Sequence, residues 1–452
     1  MNASGSSANP TVAAISTAAG TGAVAMIRIS GPEAIAVAAK VCGDQVSTQA
    51  AHETRHCKVR DDKGDVIDDG LLTVMRSPKS YTGEDTVEFT GHGGILVSRE
   101  VLARFFECGA EAAGPGEFTR RAFLNGKLDL TQAEGVMDLI SAQTKLALKA
   151  ARGQLEGHLG KQTTEARDEL LGCLAHLEAF IDFPDEDIDP QTGKELNGRV
   201  QAVLDTTTRL LATADQGRIL REGVRTVIYG PPNVGKSSLL NHLLGFDRAI
   251  VSETAGTTRD TIEETINLDG LPLRLIDTAG MREADDAIEA EGIQRTVHQI
   301  EQADLLLEVA DGSAPRSEDP ASHRESSKHV LILNKCDLGE DASWSDIDAV
   351  RVSCLEKNGF DQLAKSIHET LQFNAVDWGE HQVAINARHQ QSLLRAQEAL
   401  KAALHQMDPQ STQAELAAID LREALDALGE IPGKVDTEDL LGVIFSSFCI
   451  GK

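Results

Sequence analysis

Gly230-Pro231-Pro232-Asn233-Val234-Gly235-Lys236-Ser237 is the stretch that decides how this chain is read. It follows the apolar Val227-Ile228-Tyr229 and precedes Ser238-Leu239-Leu240-Asn241-His242-Leu243-Leu244, so a glycine-rich turn lies between a strand pattern and a helix pattern. Glycines allow backbone N–H groups to wrap phosphate oxygens, Lys236 balances charge at the β and γ positions, and the Ser237 hydroxyl suits Mg²⁺. Taken alone the pattern is only moderately specific.

Two companions further along the chain narrow the reading. Asp277-Thr278-Ala279-Gly280 follows Leu273-Arg274-Leu275-Ile276, which places a carboxylate at a strand end for Mg²⁺ and a flexible glycine beside a γ-phosphate. Asn334-Lys335-Cys336-Asp337 follows Val330-Leu331-Ile332-Leu333. There the aspartate is the selective element, because a carboxylate accepts two parallel hydrogen bonds from guanine N1–H and its exocyclic amine, and adenine offers no such pair. Three motifs in order, each behind an apolar strand, predict a GTP-binding α/β domain over residues 224–373. Ser353-Cys354-Leu355 stands where such domains usually carry a base-contacting Ser-Ala-Lys. Met281 stands where many GTPases place a water-orienting Gln, so another group must do that work. Glu283, Asp285, Asp286, Glu289 and Glu291 are the nearby carboxylates.

Outward from this domain the patterns change. Ala23 to Ile29 and Leu71 to Met75 read as strands and Val97 to Cys108 as a helix, giving an α+β pattern up to about residue 125. From Leu128 the period is helical, opened by a capping box at Thr131-Gln132-Ala133-Glu134 and persisting to about Arg221. The acidic stretch Asp182 to Asp189 contains Pro184 and lacks the ligand spacing of a calcium loop, so it reads as an inter-helix connection. Helical period returns at Leu393, Leu394, Leu400 and Leu404, and a second capping box at Thr412-Gln413-Ala414-Glu415 precedes Leu416, Ile419, Leu425 and Leu428. Amphipathic helices on both sides of an autonomous domain predict one helical domain carrying an insertion.

Composition sets the bounds. A chain of 452 residues is too long for one core. Its 41% hydrophobic and 25% charged residues are ordinary globular values. A net charge of -28 repels phosphate backbones, and an aromatic content of 4% argues against base-stacking platforms, so any RNA contact is local or arrives through a basic partner. Seven cysteines without a CxxC pair read as reduced thiols rather than a disulfide or zinc framework. Cys449-Ile450-Gly451-Lys452 ends in Lys, unlike a prenylation signal. No apolar run reaches the roughly 18 residues of a membrane helix, and the N-terminus lacks a signal peptide's basic start, so the expectation is a cytoplasmic protein with no membrane contact.

Further stretches carry a likeness. Ile29-Ser30-Gly31, Tyr81-Thr82-Gly83-Glu84-Asp85, Gly91-His92-Gly93-Gly94, Pro115-Gly116-Glu117-Phe118, Arg121 to Leu130, Ile181 to Glu186, Ala255-Gly256-Thr257-Thr258-Arg259-Asp260 and the ending Ile444 to Lys452 resemble the tRNA-modification GTPases of the MnmE or TrmE family. The likeness spans essentially the whole chain, with one departure at Ala18-Ala19-Gly20-Thr21-Gly22-Ala23, where the family carries a Pro- and Arg-containing glycine loop.

The resemblance implies a multidomain α+β and α/β fold. Its parts are an N-terminal α+β domain that dimerises and binds a folate (1–125), a discontinuous all-helical domain (126–223 and 374–452), and an inserted P-loop, Ras-like GTPase domain (224–373). It implies GTP contacts from Asn233, Val234, Gly235, Lys236, Ser237, Ser238, Ser252, Thr254, Gly256, Thr257, Thr258, Asp277, Thr278, Ala279, Gly280, Asn334, Lys335 and Asp337. Mg²⁺ falls to Ser237 and Thr258, and K⁺, in place of an arginine finger, to Asn233, Ser252, Thr254 and Thr257. Lys236 and Glu289 become catalytic, Glu289 by positioning the water, and Cys449 is the thiol to which a part in the modification chemistry is ascribed. A 5-formyl-tetrahydrofolate would meet Arg28, Glu88, Lys127 and Lys452. Without the resemblance, Glu88 is an outward residue between inward Val87 and Phe89, Arg28 is a strand-edge charge, and Cys449 an inert thiol. The implied partners are a second copy of the chain, an MnmG (GidA)-type flavoprotein in a heterotetramer, and tRNA as substrate. Two other readings stay open at this point: a regulatory or ribosome-assembly GTPase without modification chemistry, and a folate-dependent aminomethyl-transfer enzyme in which the GTPase is incidental.

Overall fold

Alternation along Val24–Ser30 buries Ile27 and Ile29 and turns Arg28 to the other face, so this stretch is a strand with two different sides. The computed structural model describes residues 9–182, 192–245, 264–276, 299–316, 328–373, 383–407, 413–433, 438–446 and 448–452. Its strands are β1 (Val12–Ile15), β2 (Val24–Ser30), β3 (Thr54–Arg60), β4 (Val66–Met75), β5 (Thr86–His92), β6 (Glu111–Ala112), β7 (Val224–Tyr229), β8 (Glu264–Leu268), β9 (Leu271–Leu275), β10 (Leu305–Asp311), β11 (Lys328–Asn334) and β12 (Val350–Arg351). The helices are α1 (Ala34–Cys42), α2 (Ile95–Glu107), α3 (Glu117–Leu124), α4 (Leu130–Ser141), α5 (Lys145–Leu155), α6 (His158–Asp182), α7 (Thr192–Leu211), α8 (Ala214–Glu222), α9 (Lys236–Leu243), α10 (Phe360–Leu371), α11 (Ala387–Gln406), α12 (Ala414–Glu430) and α13 (Glu438–Ser446). By contact the chain divides into two units, residues 1–137 with 429–452, and residues 138–428. The residues 429–452, placed with the helices in the sequence reading, group with the first unit.

In the first unit a six-stranded sheet runs in the order β3-β4-β5-β2-β1-β6. β2 is an interior strand, antiparallel to both β1 and β5, so Arg28 is not an edge charge. One face packs α1 and α2 through Val37, Val41, Val101 and Phe105 against Ile27, Leu72, Val87 and Phe89. Each such fully buried side chain contributes about 1.5–3 kcal/mol. The other face carries Val12, Ala14, Ala113, Phe118 and Tyr81. The last residues close this side: Ile450 bridges Pro115, the Phe118 N–H donates to the Lys452 carbonyl at 3.1 Å, and the Gly116 N–H to that of Cys449 at 3.3 Å. Gly451 has φ +96°, and a Cβ there would lie 2.3 Å from the Ile15 carbonyl, so only glycine fits.

In the second unit a six-stranded sheet runs β12-β11-β10-β7-β9-β8, parallel except for the β8–β9 hairpin. From β7 the chain goes first to β9 on one side and later to β10 on the other, so the order reverses at the C-terminal end of β7. That crevice is where open α/β sheets hold ligands. Helices α5 to α8, α11 and the greater part of α12 belong to the same unit.

The first capping box is displaced by one turn's start. α4 begins at Leu130, and Asp129 rather than Thr131 caps it, accepting from the Gln132 N–H at 2.9 Å while the Gln132 side chain accepts from the Asp129 N–H at 2.9 Å. An aspartate two residues earlier in the chain competes successfully for the orphan donors. Thr412 of the second box lies outside the described residues, as does most of the acidic stretch. An unforeseen box, Asn386 with His389, opens α11. Among the described residues no helix is long and apolar enough to cross a membrane.

Candidate functional site

The nucleotide motif forms a collar at the end of β7. Gly230 has φ +144°, and a Cβ there would lie 2.1 Å from the Val309 carbonyl of β10. Asn233 at φ +62° and Gly235 at φ +98° both take left-handed backbone, the alternation that turns successive N–H groups toward one point. Gly235 caps α9, so the helix N-terminus adds its partial positive charge there. Lys236 Nζ donates to the carbonyls of Gly230 at 2.9 Å and Pro231 at 2.7 Å, and burial lowers its pKa from the usual lysine value. Phosphate oxygens are stronger partners for that ammonium than neutral carbonyls.

One buried side chain ties the site together. Asn334, 3% exposed at the end of β11, donates from Nδ2 to the Val234 carbonyl at 2.8 Å, and its Oδ1 accepts the Cys354 N–H at 3.2 Å. A Cβ on Gly235 would lie 2.1 Å from that same Nδ2, so the glycine is required by the asparagine as well as by its φ. Asp337 accepts from Ser353 Oγ at 2.6 Å, and that hydroxyl also accepts the Glu356 N–H at 3.1 Å, so one oxygen of the carboxylate is held in place. Lys335, at φ +65°, donates to Asp311 at 2.6 Å. Burial raises the Asp311 pKa, but hydrogen bonds from Lys335 and Ser313 outweigh it and hold the group below the ordinary carboxylate value. Ser237 lies in the first turn of α9, and Ser238 borders an open cleft with Asn241, His242, Cys354 and Lys357. Val234 is buried beneath the collar. Ser252, Thr254, Gly256, Thr257, Thr258, Asp277, Thr278, Ala279, Gly280 and Glu289 lie outside the described residues.

The first unit holds a second polar cluster. Arg28 and Glu88 face each other in register on β2 and β5, with Nε 2.9 Å from the carboxylate. The Arg28 guanidinium stands 5.2 Å from the Tyr81 ring centre and 5.4 Å from that of Phe118. Lys127 Nζ donates to the Pro78 carbonyl at 3.1 Å, on the loop that carries Tyr81. The backbone of Lys452 is tied to Phe118, and Cys449, whose thiol is exposed, lies beside it. All seven cysteines are free.

Two family models match the chain: the MnmE helical domain over residues 130–449 and the N-terminus of the GTP-binding protein TrmE over residues 11–127. The chain belongs to the MnmE family. A protein of Akkermansia muciniphila named tRNA modification GTPase MnmE is 53% identical over 445 residues, covering 98% of this chain and 99% of that one. Proteins of the same name from Natranaerobius thermophilus and Geobacter sulfurreducens are 44% and 45% identical, each covering 98% of this chain and 99% of their own. Among solved structures, the G domain of the T. maritima FeoB iron transporter aligns with 32% of this chain at 28% identity and a TM-score of 0.25.

Within this MnmE-family chain, sequence reasoning missed the side chains that brace the second cluster. Arg121, 1% exposed on α3, donates to Glu117 at 2.8 Å, to Glu84 at 3.0 Å and to the Ser30 carbonyl at 3.3 Å. Ser30 Oγ in turn donates to Glu84 at 2.9 Å and lies 2.7 Å from Thr82 Oγ1. The available signal was an arginine inside a short amphipathic helix whose neighbours Phe118 and Ala122 are apolar. A lone arginine there does not say which face it takes.

Proposed function

We propose that this chain is a K⁺-dependent GTPase that, with an MnmG (GidA)-type flavoprotein, modifies the wobble uridine of certain tRNAs at C5 using a folate one-carbon donor. The observation that carries the nucleotide half is the corner where Ser353 holds Asp337, with Asn334 joining that corner to the phosphate collar. A carboxylate so fixed accepts the N1–H and amine of guanine, and the collar and Lys236 take the phosphates. Family membership, and the names of relatives that are similar over nearly their full length, support tRNA as the substrate.

Ser237 and Thr258 would hold Mg²⁺, and Asn233 with Ser252, Thr254 and Thr257 would hold K⁺. When bound, these cations supply positive charge to the phosphates. The left-handed Asn233 belongs to the same collar as Lys236, which suits that role. Glu289 would position the water that Met281 cannot. The Arg28 and Glu88 pair fits a folate: Glu88 offers a carboxylate for the amino-pyrimidinone edge, the Arg28 guanidinium beside it stands over the Tyr81 and Phe118 rings, and Lys127 and Lys452 would supply positive charge to an anionic tail. On this reading the G domain (224–373) is inserted in a helical domain (126–223 and 374–452), residues 1–125 form a homodimer, two flavoprotein subunits complete a heterotetramer, and Cys449 acts near the folate.

The test is mass spectrometry of tRNA nucleosides from cells with and without this chain. Loss of 5-carboxymethylaminomethyl- and 5-aminomethyl-type uridines is expected. Unchanged tRNA would overturn the modification role and leave a regulatory GTPase. Hydrolysis should also run faster in KCl than in NaCl at equal ionic strength, and equal rates would remove the K⁺ assignment.

A further inference from the structure

Three neighbouring strands of the first unit bring together four side chains that the proposed reactions do not use. They are His56 on β3, Asp68 and Asp69 on β4, and His92 at the end of β5. Ligand atoms of Asp68, Asp69 and His92 all lie within 4.8 Å of one another. Asp68 is the buried member, its side chain 6% exposed, yet no lysine or arginine pairs with it among the described residues. Its oxygens accept from His92 Nδ1 at 2.6 Å, from the His92 N–H at 2.9 Å and from the Asp69 N–H at 2.9 Å. Asp69 lies 2.8 Å from His56 Nε2 through one oxygen.

The backbone is shaped around this carboxylate. A Cβ on Gly91 would lie 2.2 Å from Asp68 Oδ2, and a Cβ on Gly70 would lie 2.3 Å from the Thr90 carbonyl. Glycine at both positions lets the carboxylate lie against β5 at the level of His92. A buried carboxylate is costly unless a positive charge offsets it, and an imidazole is the weakest such partner a protein has.

We infer that Asp68, Asp69 and His92 form a site for a borderline divalent cation of the Zn²⁺ class, with His56 holding Asp69 from outside. Two carboxylate oxygens and an imidazole nitrogen are a mixed donor set that such ions favour over Ca²⁺ or Mg²⁺. A tetrahedral ion about 2.1 Å from each ligand sets the ligand atoms about 3.4 Å apart, so side-chain shifts of an ångström or so suffice. The ion takes the place of the proton between His92 Nδ1 and Asp68, and that proton leaves to solvent. A fourth position stays open to water. The His56 contact to Asp69 is the outer support that metal-binding carboxylates commonly have.

The experiment uses the full chain, stripped with a chelator and titrated with Zn²⁺ by calorimetry and with Co²⁺ by visible absorption. His92→Gln and Asp69→Asn alter exposed side chains and spare the core. The unaltered chain should take up one more ion than either variant and show the visible bands of low-symmetry Co²⁺, while His56→Ala should weaken that ion by about 10- to 100-fold. Ions held at the nucleotide site or by scattered surface carboxylates are common to all these proteins and cancel in the difference. Equal stoichiometry and affinity in the unaltered chain, His92→Gln and Asp69→Asn would overturn the assignment and leave only hydrogen-bonded imidazole and carboxylate pairs.

Discussion

At the end of β11, Asn334 holds loops together through backbone partners, the Val234 carbonyl and the Cys354 N–H. On the face of the first sheet, Arg121 does comparable work chiefly through the carboxylates of Glu84 and Glu117. The first arrangement needs glycine and asparagine at fixed positions, because left-handed backbone and a Cβ-free approach admit little else. The second needs only that charges meet, and many sequences could supply them. A site held by backbone therefore leaves a motif in the sequence, whereas one held by paired side chains hides in it.

Three substitutions test that contrast. Arg121→Met should be the most damaging to stability, since it strips the buried partner from two carboxylates. A loss of about 3–5 kcal/mol is expected in chemical denaturation of the full chain. GTP affinity should stay within twofold, and a parallel fall would mean that the two units are energetically linked. Gly235→Ala comes next. Its left-handed φ of +98° and the 2.1 Å approach to Asn334 should together weaken GTP by about 2–3 kcal/mol, roughly 30- to 150-fold, in a fluorescent-nucleotide titration. Affinity unchanged within threefold would show that the collar can relax. Ser353→Ala is the mildest. Losing one hydrogen bond to Asp337 should cost about 1 kcal/mol, roughly fivefold in GTP affinity, with ATP unaffected. An equal loss for both nucleotides would place the hydroxyl's role outside base recognition.

The strands beneath the nucleotide motifs were legible because each is a short apolar run that ends in a polar signature. β7, β9 and β11 appear where Val227, Leu273 and Val330 foretold them, and α9 follows the collar directly. Arg28 and Glu88 were found only through family likeness, since a charge flanked by inward residues says nothing about its partner some 60 residues away. Arg121 was missed for the same reason, with its Glu84 and Ser30 partners 37 and 91 residues distant. The α4 cap was displaced because Asp129 and Thr131 are both competent caps, and only the helix start decides between them. The joining of residues 429–452 to the first unit was illegible for another reason. Apolar Leu441 and Phe445 on α13 and Phe448 just beyond it announce burial but not what they are buried against.

That last joining sets a timetable for synthesis. The strand Val12–Ile15 leaves the ribosome early, yet Gly451, which fits against its Ile15 carbonyl, follows more than 400 residues later, after the entire second unit has emerged. At a translation rate of about 5–20 residues per second, the first sheet waits roughly 20 to 90 seconds with that side open. A nascent chain in that interval exposes Val12, Ala14 and Phe118 to whatever apolar surface it meets, so a chaperone that binds short apolar strands has its longest opportunity here, at the start of the chain rather than at the G domain.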